Sequence, residues 1–240
     1  MSNENNSESS SEITTGTKKA KKPFKRTLTK RVGYRIIQFL MRVSFFAYFR
    51  FRALNRNNFP KSGGALVCSN HQSNLDPPLV GHCCPRRLNY LARKTLFKSF
   101  LLRWIIEFLD AIPLDKQGMG IAGIKETMKR LKREEMVLIF PEGTRTSDGE
   151  LKKLQPGFLV IARRTKVPLV PVGIDGAFQS WPRGGKFPRP SKIVVSVGEP
   201  IMFDEYGDLD DDGILELLHQ RISVEFEKAR QRVIGKKAKV

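Results

Sequence analysis

The stretch Gly63-Gly-Ala-Leu-Val-Cys-Ser-Asn-His-Gln-Ser-Asn-Leu-Asp-Pro-Pro78 runs a short apolar segment straight into a polar loop. Ala65 to Ser69 follows a glycine pair and reads as a buried strand. A second segment repeats the arrangement: Met136-Val-Leu-Ile-Phe140 is the clearest buried strand in the chain, and Pro141-Glu-Gly-Thr-Arg-Thr146 follows it. Working outward, Leu88 to Leu91, Ala111 to Leu114, Val167 to Ile174 and Ile193 to Val197 have the length and apolar content of further strands. Thr95 to Leu109, Gly118 to Lys132, Phe158 to Arg164 and Ile214 to Val233 carry apolar residues at helical spacing. Strands alternating with helices predict an α/β fold, with a mixed, mostly parallel sheet flanked by helices.

The ends and the charge narrow the function classes. The chain has 240 residues and 43 Lys+Arg against 24 Asp+Glu, a formal net charge of +19. Such a balance points to a polyanionic partner, either nucleic acid or an anionic membrane surface. Residues 1–28 shift from Ser, Asn and Glu to a basic run and read as a disordered arm. Residues 29–58 read as an amphipathic, membrane-associating helical segment. Arg31, Arg35, Arg42, Arg52 and Arg56 fall near one side of it, and Ile36, Ile37, Leu40, Val43, Ala47, Phe51 and Leu54 near the other. Its arginines interrupt it well short of the roughly 20 apolar residues a crossing needs. The alternative is a helix packed on the domain's own core. Residues 59–235 form the α/β domain. Three cysteines, Cys68, Cys83 and Cys84, are too few and too odd in number for a disulfide scaffold and suit a reducing compartment. The first dozen residues contain no apolar stretch of a secretory signal.

Both polar loops carry chemistry. His71 and Asp76 are separated by four residues. In a turn held by Asn74 and the two prolines, the carboxylate can fold back onto one imidazole nitrogen. That leaves the other nitrogen free to take a proton from a substrate alcohol. The bland reading is a histidine in a turn beside a helix-capping aspartate. In the second loop Gly143 lets backbone approach a ligand, Arg145 can grip a phosphate bidentately, and Thr144 and Thr146 can donate hydrogen bonds. Glu142 is either an ion-pair partner of Arg145 or an anchor for a substrate hydroxyl.

Together the two loops, Asn70-His-x-Ser-x-x-Asp76 and Phe140-Pro-Glu-Gly-Thr-Arg145, resemble the glycerolipid acyltransferase family, most of all its bacterial 1-acylglycerol-3-phosphate acyltransferases. Ala111-Ile-Pro-Leu-Asp-Lys116 and Val167-Pro-Leu-Val-Pro-Val-Gly-Ile174 resemble two further blocks, in the same order, over roughly residues 50–200. The resemblance implies an acyltransferase domain over 59–235. It makes His71 the general base on the acceptor hydroxyl and Asp76 the residue that orients it. Lys116, Glu142, Gly143, Thr144 and Arg145 would bind or shape the site of the acceptor's phosphate, with Asn70, Ser73, Pro141, Thr146 and Pro171 in support. Lys116 stands where the family usually has arginine, keeping the charge without the planar fork. The implied reaction moves an acyl group from an acyl-CoA or acyl-carrier-protein thioester to a lysophospholipid acceptor, giving phosphatidic acid. It needs no cofactor and no metal, and it sits at the cytoplasmic face of the membrane. Glycerol 3-phosphate or another lysolipid is the alternative acceptor.

Other features are weaker. His82, Cys83 and Cys84 do not supply four metal ligands at familiar spacing and read as buried small residues after a short helix. Trp181 to Pro190 is a Pro/Gly loop rich in cations. It is either a solvated loop or a cover for the thioester donor's phosphates. Nucleic-acid binding is the rival from another class. The N-terminal cations interleave with bulky aromatic and aliphatic residues, which suit acyl chains better, and no nucleic-acid recognition motif is visible.

Overall fold

The structure, a computed structural model, describes residues 43, 47–93, 112–114 and 120–235. These lie in the compact unit Arg42–Val240. The expected arm 1–28, most of the expected amphipathic helix, the expected helix Thr95–Leu109 and Lys116 fall outside the described residues.

The strands are β1 (Arg52–Leu54), β2 (Ala65–Ser69), β3 (Leu88–Arg93), β4 (Ile112–Leu114), β5 (Met136–Ile139), β6 (Leu169–Asp175) and β7 (Val194–Val197). The helices are α1 (Asp76–Cys83), α2 (Ile121–Lys132), α3 (Leu159–Thr165), α4 (Ala177–Ser180), α5 (Phe203–Tyr206) and α6 (Asp211–Ile234). The seven strands form one sheet in the order β1-β7-β6-β2-β5-β3-β4. From β6 to β4 all neighbours are parallel. β7 runs antiparallel to β6, and β1 runs parallel to β7. The mixed, mostly parallel sheet is the architecture the alternation of elements predicts.

The central strands are apolar along their whole length because both faces of the sheet are covered. Their side chains alternate between two cores. Ala65 and Val67 of β2 join Met136 and Leu138 of β5 and Leu79, Val80 and Cys83 of α1 on one face. Leu66 and Cys68 join Val137 and Ile139, Leu131 of α2, Ile161 of α3 and Ile214, Leu218 and Ile222 of α6 on the other. Helix α6 is capped at its N-terminus by Asp210, whose side chain accepts from the Gly213 amide at 2.7 Å, satisfying an otherwise orphaned donor. It lies so close to β6 that a Cβ on Gly173 would sit 2.1 Å from the Phe226 nitrogen. Glycine is required there for backbone-to-backbone packing.

One expectation is corrected. The helix expected over 29–58 does not extend through its C-terminal part, because Arg52–Leu54 is a strand paired with Val194–Ser196. Arg50 takes φ 41°, a left-handed conformation that ends a helix, and Asn55 at φ 54° ends the strand before a 3-10 turn over Arg56–Asn58. Phe49 and Phe51 alternate into the core on α1's side of the sheet, with Phe51 only 6% exposed. The edge of β7 offers unpaired backbone groups that a helix could not satisfy, and this pairing wins over a helical period that continues in sequence.

Loops at the C-terminal ends of β2 and β5 are neighbours because these strands pair directly, Cys68 opposite Ile139. The chain leaves β2 toward β3 on one side and β5 toward β6 on the other. Both loops thus emerge side by side at the carboxyl ends of parallel strands, where α/β sheets bind ligands.

Candidate active site

The first loop begins with a side chain acting as backbone. Asn70 donates from Nδ2 to the Ile174 carbonyl at 2.9 Å and accepts at Oδ1 from the Ile174 amide at 2.7 Å. This pair extends the β2–β6 ladder by one residue past Ser69 and fixes where the loop starts. His71 comes next. Its ring Nδ1 lies 2.7 Å from Asp76 Oδ2, the contact expected from the spacing. That oxygen also accepts from the Gln72 amide at 2.6 Å and the Ser73 amide at 2.7 Å. Asp76 is fully buried as the first residue of α1, with Pro77 and Pro78 in the helix's first turn. Its carboxylate therefore holds Nδ1 as the donor and leaves Nε2 as the acceptor of the ring. The His71 side chain is 18% exposed, so this acceptor is sheltered yet reachable. Ser73, more than Asn74, ties the turn: its hydroxyl accepts from the Leu75 amide and donates to the Trp181 carbonyl at 2.8 Å.

The second loop holds the histidine by its own peptide groups. Glu142 Oε1 accepts from the His71 amide at 2.8 Å, and the Thr146 amide donates to the His71 carbonyl at 2.8 Å. Phe140, the residue after β5, stacks its ring on the imidazole, with centroids 3.8 Å apart and planes 14° from parallel. These contacts pin His71 on both backbone sides and across one ring face. Glu142 and Thr146 are buried and Thr146 Oγ1 is engaged with Asp148. Their bonds build the loop. Pro141 is buried and its carbonyl accepts from the Gln155 amide at 2.8 Å. Gly143 takes φ 72° to close the Phe140–Gly143 turn, a conformation few other residues adopt. Gly143 and Thr144 are exposed and Arg145 is half-buried, so these three form the accessible rim. Pro171 sits within β6 opposite Cys68, with its carbonyl accepting from the Gly198 amide. It is part of the sheet.

The electrostatics of the site are set by burial. Glu142 Oε2 is buried without a hydrogen-bond partner, as is Asp76 Oδ1. Loss of solvent is the main reason the Glu142 carboxyl is pushed up to about 7; hydrogen bonds from the His71 and Lys152 backbones pull against it, and the nearby Asp76 charge adds to the rise. Burial likewise pushes the Cys83 thiol up to about 12 and that of Cys84 to about 11. Both thiols stay protonated and sit in the core beside α1, as the sequence reading has them.

Gln72 is the residue the sequence reading missed. It is fully buried, and its side chain links three segments. Nε2 donates to the Gly149 carbonyl at 2.8 Å and to Asp175 Oδ1 at 3.3 Å. Oε1 accepts from the Ala177 and Phe178 amides at 3.2 Å each. The residue whose amide holds Asp76 is thus itself bolted to the end of β6 and the start of α4. Nothing local announces this, because the partners lie 77 to 106 residues away. The Phe140 stack is equally silent in sequence; a single aromatic after a strand carries no signal of its own.

An acyltransferase family model matches residues 50–175, which include both loops and strands β1 to β6. Over 179 residues the chain is 32% identical to the 1-acyl-sn-glycerol-3-phosphate acyltransferase of Bacillus subtilis, covering 71% of this chain and 85% of that protein. It is 26% identical over 166 residues to the enzyme of the same name from Cocos nucifera, covering 68% of this chain but only 54% of that longer protein. The crystal structure of the 1-acyl-sn-glycerophosphate (LPA) acyltransferase PlsC from Thermotoga maritima superposes with a TM-score of 0.70 at 26% identity, covering 84% of this chain and 80% of that one.

Proposed function

Since the chain belongs to the acyltransferase family, we propose that it transfers a fatty acyl group from a thioester to the free hydroxyl of 1-acylglycerol 3-phosphate, forming phosphatidic acid. The observation that carries the chemistry is the 2.7 Å contact between His71 Nδ1 and Asp76 Oδ2, at the carboxyl end of a central strand. His71 Nε2 takes the proton of the acceptor hydroxyl as its oxygen attacks the thioester carbonyl. Asp76 stabilises the imidazolium that forms, as the carboxylate does in hydrolytic triads, here with a substrate alcohol in place of a serine. The tetrahedral intermediate collapses by breaking the C–S bond, and the departing thiolate recovers the proton from the imidazolium. No acyl-enzyme is formed. A positioned base contributes roughly 10²–10⁴-fold in rate. The rest comes from holding two substrates together, for which a base clamped by Glu142, Thr146 and Phe140 is well prepared.

The acceptor's phosphate belongs at the accessible rim, where Arg145 presents a fork suited to it and the Gly143 backbone leaves room for approach. Lys116 is the second cation assigned to it. The donor is acyl-CoA or acyl carrier protein. The enzyme works at the cytoplasmic face of an anionic membrane, drawn there by its positive charge. Among the described residues no helix is long and apolar enough to cross a bilayer. The test is to assay purified protein with acyl-CoA and with acyl carrier protein against 1-acylglycerol 3-phosphate, glycerol 3-phosphate and neutral or zwitterionic lysolipids, identifying products by mass. Phosphatidic acid as the main product is expected. Acylation of glycerol 3-phosphate alone, or only of lysolipids lacking a terminal phosphate, contradicts the acceptor assignment.

A further inference from the structure

Beside the catalytic loop, Trp181-Pro-Arg-Gly-Gly-Lys-Phe-Pro-Arg-Pro190 presents an aromatic ring among cations. Phe187 is 80% exposed, and no large apolar side chain among the described residues is more so. Arg183, Lys186 and Arg189 around it are also exposed, and no acidic residue occurs between Asp175 and Glu199. The loop is built to hold this arrangement. At its neck the Arg189 amide donates to the Ser180 carbonyl at 2.8 Å and the Ser180 hydroxyl to the Arg189 carbonyl at 2.8 Å. Inside it, Trp181 Nε1 donates to the Gly185 carbonyl at 2.7 Å, and the Gly185 amide to the Pro182 carbonyl at 3.0 Å. Tyr48, itself 45% exposed, donates its hydroxyl to the Pro188 carbonyl at 3.1 Å. A loop tied this firmly has no need to leave a phenylalanine in water for want of alternatives.

Its neck is fixed to the chemistry. The Trp181 carbonyl accepts from Ser73 Oγ at 2.8 Å, and Ser73 lies two residues after His71 and donates its amide to Asp76. We propose that the Trp181–Pro190 loop is a membrane-docking element that sets the catalytic loop against an anionic lipid surface. Phe187 enters the interface, Arg183, Lys186 and Arg189 pair with lipid phosphates, and Tyr48 adds a second ring beside it. An exposed aromatic flanked by cations is the chemistry of interfacial binding. The thioester donor's phosphates would account for the charge but not for the ring. The proposal rests on the reading of the acceptor as a bilayer lysolipid, which would then reach His71 from the membrane without crossing water.

The experiment uses the full chain with Phe187→Ser, Phe187→Leu and the double change Arg183→Glu, Lys186→Glu. Each is sedimented with vesicles of phosphatidylcholine containing phosphatidylglycerol and with phosphatidylcholine alone. Turnover is measured on acceptor in vesicles and on short-chain, monomeric 1-acylglycerol 3-phosphate. Phe187→Ser should weaken partition into the mixed vesicles roughly tenfold, and Phe187→Leu should restore most of it. The charge change should weaken partition by roughly fivefold or more per cation, and only where phosphatidylglycerol is present. All variants should keep the wild-type kcat on the monomeric acceptor, while KM for the vesicle acceptor rises in Phe187→Ser and the double change and stays near wild type in Phe187→Leu. Unchanged partition in Phe187→Ser and in the double variant overturns the proposal. So does a rise in KM for acyl-CoA measured on the monomeric acceptor, which would assign the loop to the donor. If partition falls as expected but no protein, wild type included, acylates 1-acylglycerol 3-phosphate, docking stands and the acceptor assignment fails.

Discussion

Replacing Gln72 probes how the base is held without touching it. In Gln72→Ala the amides of Ala177 and Phe178, the Gly149 carbonyl and Asp175 Oδ1 lose their shared partner in a buried site. A buried polar group left unsatisfied costs about 1–3 kcal/mol, and water entering the space left by the side chain recovers part of that. The expected loss of stability is about 3–5 kcal/mol, a large share of the roughly 5–15 kcal/mol that a domain has. Gln72→Glu separates hydrogen bonding from volume. It keeps an acceptor for the two amides but loses the Nε2 donor and places a second carboxyl against Asp175, whose own carboxyl burial already pushes up. Two facing carboxyls favour the neutral forms, so the folded protein holds protons to higher pH than the unfolded chain does. Stability of Gln72→Glu is then closest to wild type at low pH and falls further behind as pH rises. Urea unfolding at pH 5.5 and pH 8, with kcat measured on folded protein, reads both effects. Because the Gln72 amide also donates to Asp76, kcat should drop in both variants with little change in acceptor KM. Stability within about 1 kcal/mol of wild type in both variants, or a Gln72→Glu deficit that does not depend on pH, refutes the bolt.

Two further outcomes follow from the same contacts. Glu142→Gln keeps the acceptor for the His71 amide but cannot ionise. Since burial lifts the wild-type carboxyl to about 7, wild-type folding is favoured below the ordinary carboxyl range and weakens as pH rises toward neutrality, so the stability of Glu142→Gln relative to wild type should increase between pH 5 and pH 8. A pH-independent difference in urea midpoints contradicts this. Gly173→Ala should cost about 3 kcal/mol or more in urea unfolding, because β6 and α6 must move apart to admit a Cβ 2.1 Å from the Phe226 nitrogen. A loss under about 0.5 kcal/mol would mean the two elements are not in such close contact.

What was legible in the sequence was local. Ala65–Ser69 and Met136–Ile139 are strands as read, since a short apolar run bounded by glycine or polar turns leaves little alternative. The His71–Asp76 contact was legible because both ends lie on one turn. What was missed depends on distant chain. Arg52–Leu54 kept a helical stripe in sequence, yet its backbone pairs with β7, which lies some 140 residues on. Glu142 was read as an ion-pair partner or an anchor for a substrate hydroxyl, and only the fold shows that its Oε1 accepts from the His71 amide. Types alone do not reveal whether a polar side chain faces a substrate or a neighbouring loop. Gln72 sits at a position between two chemically obvious residues, and only the fold brings Gly149, Asp175 and Ala177 around it.

The most direct measurement is acyl transfer from a thioester to 1-acylglycerol 3-phosphate by His71→Ala, followed by product mass, with circular dichroism and urea unfolding to check that the fold persists. His71 supplies the only proton acceptor assigned to the reacting hydroxyl, so kcat should fall by roughly 10²–10⁴-fold while vesicle binding stays at the wild-type level. A folded His71→Ala protein that turns over within about tenfold of wild type would contradict proton removal by this imidazole.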